Sequence, residues 1–217
     1  MAKASRWLLL LLGAWPGPCL AADKAPSAIR PIDECSANKS FAAFLRHFDA
    51  AVASRNAQAL LRLVSPKVAV GFGGDDGIQP FKREWKLAAG TKSPIWAELK
   101  AMRSLGCARM TDGSMVMPRL ASHLPEAESF PGPMAPVRAP VALRSGPSPS
   151  APVRAQLQWD VLYAEPEENP GDWHKVRTAA GLEGFVRDAD VRGAMDLRIY
   201  FGRVKGQWMI TYLVAGD

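Results

Sequence analysis

Apolar residues recur at intervals of three and four in the part of the chain that begins near residue 36. The first set comprises Phe41, Phe44, Leu45, Phe48 and Val52. This spacing predicts a helix with one wide apolar face, for which Ser40 is the expected N-cap. Asn56 is the expected cap of a second helix, which carries Leu60, Leu61, Leu63 and Val64 and ends at Pro66.

A strand and two more helical segments are predicted next. The apolar run 68–72 predicts the strand. One apolar face is then formed by Ile78, Phe81 and Trp85, and a second by Ile95, Trp96, Leu99, Met102 and Leu105. Ser93 and Pro94 are expected to start that last helix, and Gly106 to stop it.

From residue 141 onward the pattern changes to short alternating runs that predict strands. They lie at 141–144, 153–157, 160–164, 173–178 and 184–186, and turn residues separate them. Gly184 is expected where another backbone comes close. Two longer alternating runs, 196–201 and 207–214, predict a β-hairpin at the end of the chain.

The spacing of three motifs indicates what the segment 138–193 is. They are Arg144-Ser145-Gly146-Pro147, Trp173-x-Lys175-Val176 and Gly184-Phe185-Val186. In this order they resemble the bacterial SH3 (Src homology 3-like) domain family. The resemblance implies a small closed β-barrel that binds a ligand, while leaving the ligand open.

The predicted fold class is therefore α+β, with the barrel as an insertion. The first part of the main domain spans 36–117, a connection with five prolines spans 118–137, and the hairpin of 194–217 completes the domain. Residues 23–35 are expected to form a flexible arm. The order of elements outside the barrel loosely resembles cystatin-like and nuclear-transport-factor-like domains.

The first 22 residues have the features of a secretory signal peptide. Lys3 and Arg6 precede a run of leucines, and the small residues Ala21 and Ala22 follow it. The apolar run is shorter than the roughly 20 residues that span a bilayer, so we expect a protein that does not cross the membrane. Cleavage near Ala21 or Ala22 implies a periplasmic or secreted product. Lipidation of Cys19 is an alternative, which Pro18 disfavours.

Removal of the leader leaves Cys35 and Cys107. An even number of cysteines in an exported chain predicts a disulfide. The alternative is a thiol nucleophile, because Glu34-Cys35-Ser36 resembles the Asp-Cys-Ser motif of NlpC-type cell-wall peptidases. None of His47, His123 and His174 lies in the context that such an enzyme requires of its base.

The charge pattern limits the kinds of partner. The net charge is +6, but the basic residues are scattered and no stripe of lysine and arginine alternates with aromatic residues. We therefore expect no binding to nucleic acid. No metal-ligand cluster and no cofactor motif is found, so no cofactor is predicted.

Two functional hypotheses remain open. The first is a non-catalytic envelope protein whose barrel binds a peptide, from peptidoglycan or from another exported protein, in an aromatic groove. The candidate residues of this groove are Trp159, Tyr163, Glu165, Glu167 and Glu168. The second is a small-molecule or hydrolytic site in the first domain, with candidates Asp75, Asp76, Glu84, Glu98 and Arg103. Asp75 and Asp76 belong to a glycine-rich loop that completes neither a phosphate-binding nor a calcium-binding motif, and a tight turn also explains it.

Overall fold

The computed structural model describes residues 27–125, 132–165 and 170–216. The expected signal peptide, Glu167 and Glu168 lie outside these residues. The described chain is a mixed α and β structure with five α-helices and twelve strands in two open sheets. None of the described helices is long and apolar enough to span a bilayer.

The five α-helices of the described residues all precede the second sheet. They are α1 (Lys39–Ala53), α2 (Ala57–Leu61), α3 (Ile78–Glu84), α4 (Ile95–Ser104) and α5 (Leu120–His123). Two 3₁₀ helices span Leu87–Lys92 and Asp188–Asp190. The N-cap of α1 is Asn38 and not Ser40, so the helix begins two residues earlier than predicted. The Asn38 side chain accepts hydrogen bonds from the N–H groups of Ser40 and Phe41.

The first sheet contains strands from both ends of the chain. Its members are β1 (Val64–Ala69), β2 (Ala108–Arg109), β3 (Met115–Met117), β11 (Arg198–Val204) and β12 (Gln207–Val214), in the order β1-β12-β11-β3-β2. The terminal hairpin was predicted, and its strands occupy the centre of this sheet: β12 is parallel to β1, and β11 is antiparallel to β3. The segment between β3 and β11 is thus an insertion in the first sheet.

Strand β1 differs from the prediction. Val64 was expected in a helix and the strand at 68–72, but Val64–Ala69 is the strand. The reason is tertiary pairing, since Val64 aligns with Ile210 of β12. Pro66 is tolerated because β1 lies at the edge of the sheet, where one side of the backbone needs no ladder partner.

Aromatic packing fills the space between α1 and the first sheet. The Phe201 ring of β11 lies 5.3 Å from that of Phe41 and 5.6 Å from those of Phe44 and Phe48, measured between centroids. Phe41, Phe48 and Phe201 have no exposed surface. This side of the sheet is therefore a packed core.

The second sheet is all-β. Its strands are β4 (Pro133–Pro136), β5 (Val141–Arg144), β6 (Val153–Leu157), β7 (Leu162–Ala164), β8 (Trp173–Thr178), β9 (Glu183–Arg187) and β10 (Val191–Gly193), in the order β10-β4-β7-β8-β9-β5-β6. Strands β10 and β6 are its two edges, so the ladder does not close into a barrel over the described residues. Strand β4 lies within the stretch expected to be a proline-rich connection.

This sheet encloses its own core. The buried cluster consists of strand residues only: Met134, Val141, Leu143, Leu157, Leu162, Val176, Val186 and Val191. Since no described helix contributes to this cluster, the sheet must curl over its own apolar face to bury it. Gly184 lies where a close approach was predicted, because a Cβ there would be 2.6 Å from the Arg144 carbonyl oxygen.

The arm that was expected to be flexible connects the two sheets over its described part. The Ile29 N–H donates to the Trp159 carbonyl, and the Val161 N–H donates to that of Ser27. Ile29 is buried with Leu105, Leu120 and Val161. At its other end the arm pairs with the chain after α4, where the Cys107 N–H donates to the Ile32 carbonyl over 3.0 Å.

We predict that Gly106→Ala destabilises the protein more than Gly113→Ala. Both glycines have positive φ, +80° and +85°, so alanine introduces similar backbone strain at each. A Cβ at Gly106 would also collide with the Ile32 backbone, whereas Gly113 has no atom within 4 Å of that position. We expect an additional loss of about 1–3 kcal/mol in the free energy of unfolding, measured by urea denaturation. Equal losses in the two variants would show that the arm does not constrain Gly106.

Candidate functional site

The cysteine pair forms the predicted disulfide. Cys35 and Cys107 are bonded, with Cα atoms 5.7 Å apart, and both are fully buried. Asp33 lies close to both sulfurs, a grouping that could hold a metal if the thiols were free. Because the sulfurs are bonded to each other, neither a metal ligand nor a thiol nucleophile is present at this position.

Asp33 is instead an anchor of the arm. Partial burial acts to raise its pKa, but hydrogen bonds from the Ser36 hydroxyl and N–H, the Arg103 charge and the Cys35 N–H together hold the pKa below its ordinary value. The Arg103 guanidinium lies 3.3 Å from Asp33 and 3.1 Å from Asp49 of α1. Arg103 thus joins the arm to two helices.

A second polar cluster contains a serine, a histidine and a glutamate. The Ser122 hydroxyl lies 3.0 Å from His123 Nδ1, and His123 Nε2 lies 3.3 Å from Glu34 Oε1. Both Ser122 Oγ and His123 Nδ1 also lie within 3.3 Å of the Arg119 carbonyl. The Arg119 guanidinium donates to Glu34 over 2.7 Å. These contacts attach the arm to α5 through ion pairs. They do not have the arrangement of a serine nucleophile with its histidine base, because the Arg119 carbonyl contacts both groups.

The aromatic candidates of the predicted peptide groove face the arm. Trp159 and Tyr163 are partly buried and pack against the cluster of Ile29, Leu105, Leu120 and Val161. The Arg177 guanidinium covers the Tyr163 ring at 5.6 Å from its centroid. Glu165 follows β7, and its N–H donates to the Lys175 carbonyl. Trp159 and Tyr163 therefore contribute to the contact between the two sheets.

The candidates of the hydrolytic hypothesis are not brought together. Exposed Asp75 pairs with Arg83 at 2.7 Å, while Glu98 faces Arg192 of β10 at 3.6 Å. Asp76 and Glu84 are both exposed. With the core between α1 and the sheet packed by phenylalanines, these carboxylates do not surround a common cavity.

The second sheet carries a different groove on its outer face. It has a volume of about 430 Å³, and its charged or aromatic lining residues are Arg138, Arg144, Arg187, Asp190 and Trp173. Arg144 and Ala142 alternate along β5 with the buried Val141 and Leu143. We call this site the arginine groove.

The electrostatics of the arginine groove are unbalanced. Arg138 donates to Asp190 from Nε and from Nη2, over 3.1 and 2.8 Å. The Arg187 guanidinium lies over the Trp173 ring at 5.3 Å from its centroid, and Arg144 donates to the Ala151 carbonyl. Three guanidinium groups against one carboxylate leave a surplus of two positive charges. Such a site favours a ligand with carboxylates, which accept paired hydrogen bonds from arginine.

Sequence reasoning missed this groove although its residues belong to the motifs that indicated the module. Arg144 begins the Arg-Ser-Gly-Pro motif, Trp173 begins the Trp-x-Lys-Val motif, and Arg187 follows the Gly-Phe-Val motif. The alternation within each strand indicates the outward face. Only the strand order, with β9 between β8 and β5, shows that the three side chains share one groove.

We predict that Asp33→Asn destabilises the protein in a pH-dependent way. Because the folded-state pKa of Asp33 lies below its ordinary value of 3.8, the carboxylate contributes stability above that pH, which is lost as the pH falls through the folded-state pKa. The loss of unfolding free energy in the variant should be full at about pH 7 and smaller at about pH 3, where part of the stability that the carboxylate contributes is already lost. Urea denaturation of the oxidised protein at both pH values measures it, with the exposed Asp172→Asn as control. A penalty that is the same at both pH values would contradict this assignment.

Comparison with known proteins gives no assignment: no protein-family model, no curated protein and no solved structure matches the chain.

Proposed function

We propose that the protein is a non-catalytic, exported cell-envelope protein whose second sheet binds a peptide with free carboxylates. The observation that carries the proposal is the arginine groove, with its surplus of positive charge beside an indole ring. The peptide of peptidoglycan fits this chemistry, since its stem carries several carboxylates on an extended backbone. Export rests on the leader-like sequence and on the disulfide, which is typical of oxidising compartments.

The resemblance of 138–193 to bacterial SH3 domains supports a binding role. The seven strands of the second sheet curl around a single apolar cluster, as a small barrel does, although the ladder is open between β10 and β6. An extended peptide that lies along the outer face would meet groups fixed on strands β5, β8 and β9. Groups held on strands lose little freedom when they bind, which favours affinity.

The location of the groove changes the expected ligand. The sequence left the charge of the peptide open, whereas the arginine groove favours an acidic peptide. The hydrolytic or small-molecule alternative has less support, because its carboxylates are dispersed and the serine, histidine and glutamate near α5 are occupied by Arg119.

We predict that Arg144→Gln combined with Arg187→Gln weakens binding of the stem peptide L-Ala-γ-D-Glu-meso-diaminopimelyl-D-Ala by about tenfold or more. The cause is the loss of two guanidinium groups that can pair with carboxylates. Isothermal titration calorimetry with the whole oxidised protein and the glycan-free peptide measures the affinity. Added salt should weaken the wild-type complex.

Arg154→Gln is the matched control. Arg154 is an exposed arginine of β6 that donates to the Glu183 carbonyl and does not line the groove. Its replacement should leave the affinity within about threefold of the wild type. Equal weakening in the control, or no binding of the peptide to the wild type, would remove the proposal.

A further inference from the structure

The outer face of the first sheet forms a second groove that differs in chemistry from the arginine groove. Its floor is built from side chains of β1, β11 and β12 that point away from the phenylalanine core. The loop after β1 contributes Phe72 and Asp76, and the turn between β2 and β3 contributes Asp112 and Ser114. These two segments flank the floor and enclose a volume of about 580 Å³, within the range of small-ligand sites. We call it the tyrosine groove.

Aromatic rings are exposed in the tyrosine groove. Tyr212 is 51% exposed and Phe72 is 60% exposed. They are the two aromatic members of the five large apolar side chains that are exposed among the described residues, and both line this groove. Tyr200 lies beside Tyr212 with 5.9 Å between ring centroids, in an edge-to-face arrangement. Exposed rings that share one concave surface are a feature of binding sites.

The charged groups of the tyrosine groove are balanced. Lys67 and Arg198 oppose Asp76 and Asp112. Arg198 donates to the carbonyls of Met195 and Gly216, over 3.0 and 2.8 Å, and is therefore part of the floor. Exposed Lys67 and Asp76 have no side-chain hydrogen bond or ion pair among the described residues, so each is available to a ligand. This balance favours a neutral ligand that both donates and accepts hydrogen bonds.

We infer that the tyrosine groove binds a neutral oligosaccharide of N-acetylhexosamines. The pyranose ring of such a sugar presents C–H groups, which pack on the negative face of an aromatic ring. Its acetamido group offers an N–H to a carboxylate such as Asp76 and a carbonyl to an ammonium group such as Lys67. A polyanion would be repelled by Asp76 and Asp112, and a purely apolar ligand would leave Lys67 and Asp76 without partners. The inference does not depend on peptide binding by the arginine groove.

The test uses chitotetraose, a soluble β-1,4-linked tetramer of N-acetylglucosamine, and the whole oxidised protein. We predict that Tyr212→Ala weakens binding by about tenfold or more, because the stacking surface is lost, and that Tyr212→Phe, which keeps the ring, stays within about threefold of the wild type. Calorimetry measures the affinities. Phe72→Ala is the second variant, since it changes an exposed loop residue and leaves the sheet intact.

The controls separate this site from the arginine groove. Arg144→Gln with Arg187→Gln should bind chitotetraose as the wild type does, and Tyr212→Ala should bind the stem peptide unchanged. Absence of chitotetraose binding to the wild type, or wild-type affinity in both Tyr212→Ala and Phe72→Ala, would overturn the inference. So would loss of self-association in Tyr212→Ala without any effect on the sugar, since the groove would then be a contact with a second copy.

Discussion

The Cys35–Cys107 disulfide fixes the segment on which the arrangement of the whole structure depends. It closes a loop with a sequence separation of 72 residues, for which the chain-entropy model gives a stabilisation of about 4 kcal/mol. The disulfide also determines where the arm lies. The disulfide holds the arm against the end of α4. From there, residues 27–29 extend to the connection between β6 and β7 of the second sheet. At this connection the Ile29 N–H donates to the Trp159 carbonyl over 2.7 Å. Without this covalent bond, the arm would have to be ordered by hydrogen bonds, by the ion pairs of Asp33 and Glu34 and by one buried isoleucine, against the entropy of its backbone.

The contact between the sheets limits where the two proposed binding surfaces can lie. Trp159 and Tyr163 pack toward Ile29 and Leu105, and Arg192 of β10 reaches Glu98 of α4. These groups are on the part of the second sheet's outer face that meets the first domain. Arg144, Arg187 and the Trp173 ring lie on another part of the same outer face, opposite the buried cluster of the sheet. In the first sheet, the face that carries Phe201 packs against α1 and forms the core. Tyr200 and Tyr212 therefore lie on the opposite face. Burial of one face of each sheet, and in the second sheet also the contact with the first domain, therefore determines which residues can reach a ligand.

Local patterns were sufficient for the elements whose structure is determined by near neighbours. Strand β8 has the predicted bounds, the terminal hairpin turns at Lys205 and Gly206 with positive φ, and Asn56 caps α2. The sequence could not predict β1, because the conformation of Val64 is set by Ile210, which is far away in the chain. The two prolines of β4 (Pro133–Pro136) argue against a strand when the sequence is read alone. The segment is a strand because it pairs with β7 and β10. The surroundings of the candidate residues also depend on distant parts of the chain: only the folded structure shows that Trp159 and Tyr163 pack against the arm.

The two proposed sites also differ in how charge is arranged on their surfaces. In the arginine groove the surplus guanidinium groups would attract an acidic ligand over a distance, which would accelerate association and make it sensitive to salt. In the tyrosine groove the opposite charges cancel, and selectivity must come from ring stacking and from hydrogen bonds to Lys67 and Asp76 at short range. A polymer that joins acidic peptides to neutral sugars could engage both surfaces at once, and the second contact would then be intramolecular. When one polymer occupies both sites, weak affinity at each site is enough for high overall affinity. The reason is that the distance between the sites sets the effective concentration of the second ligand.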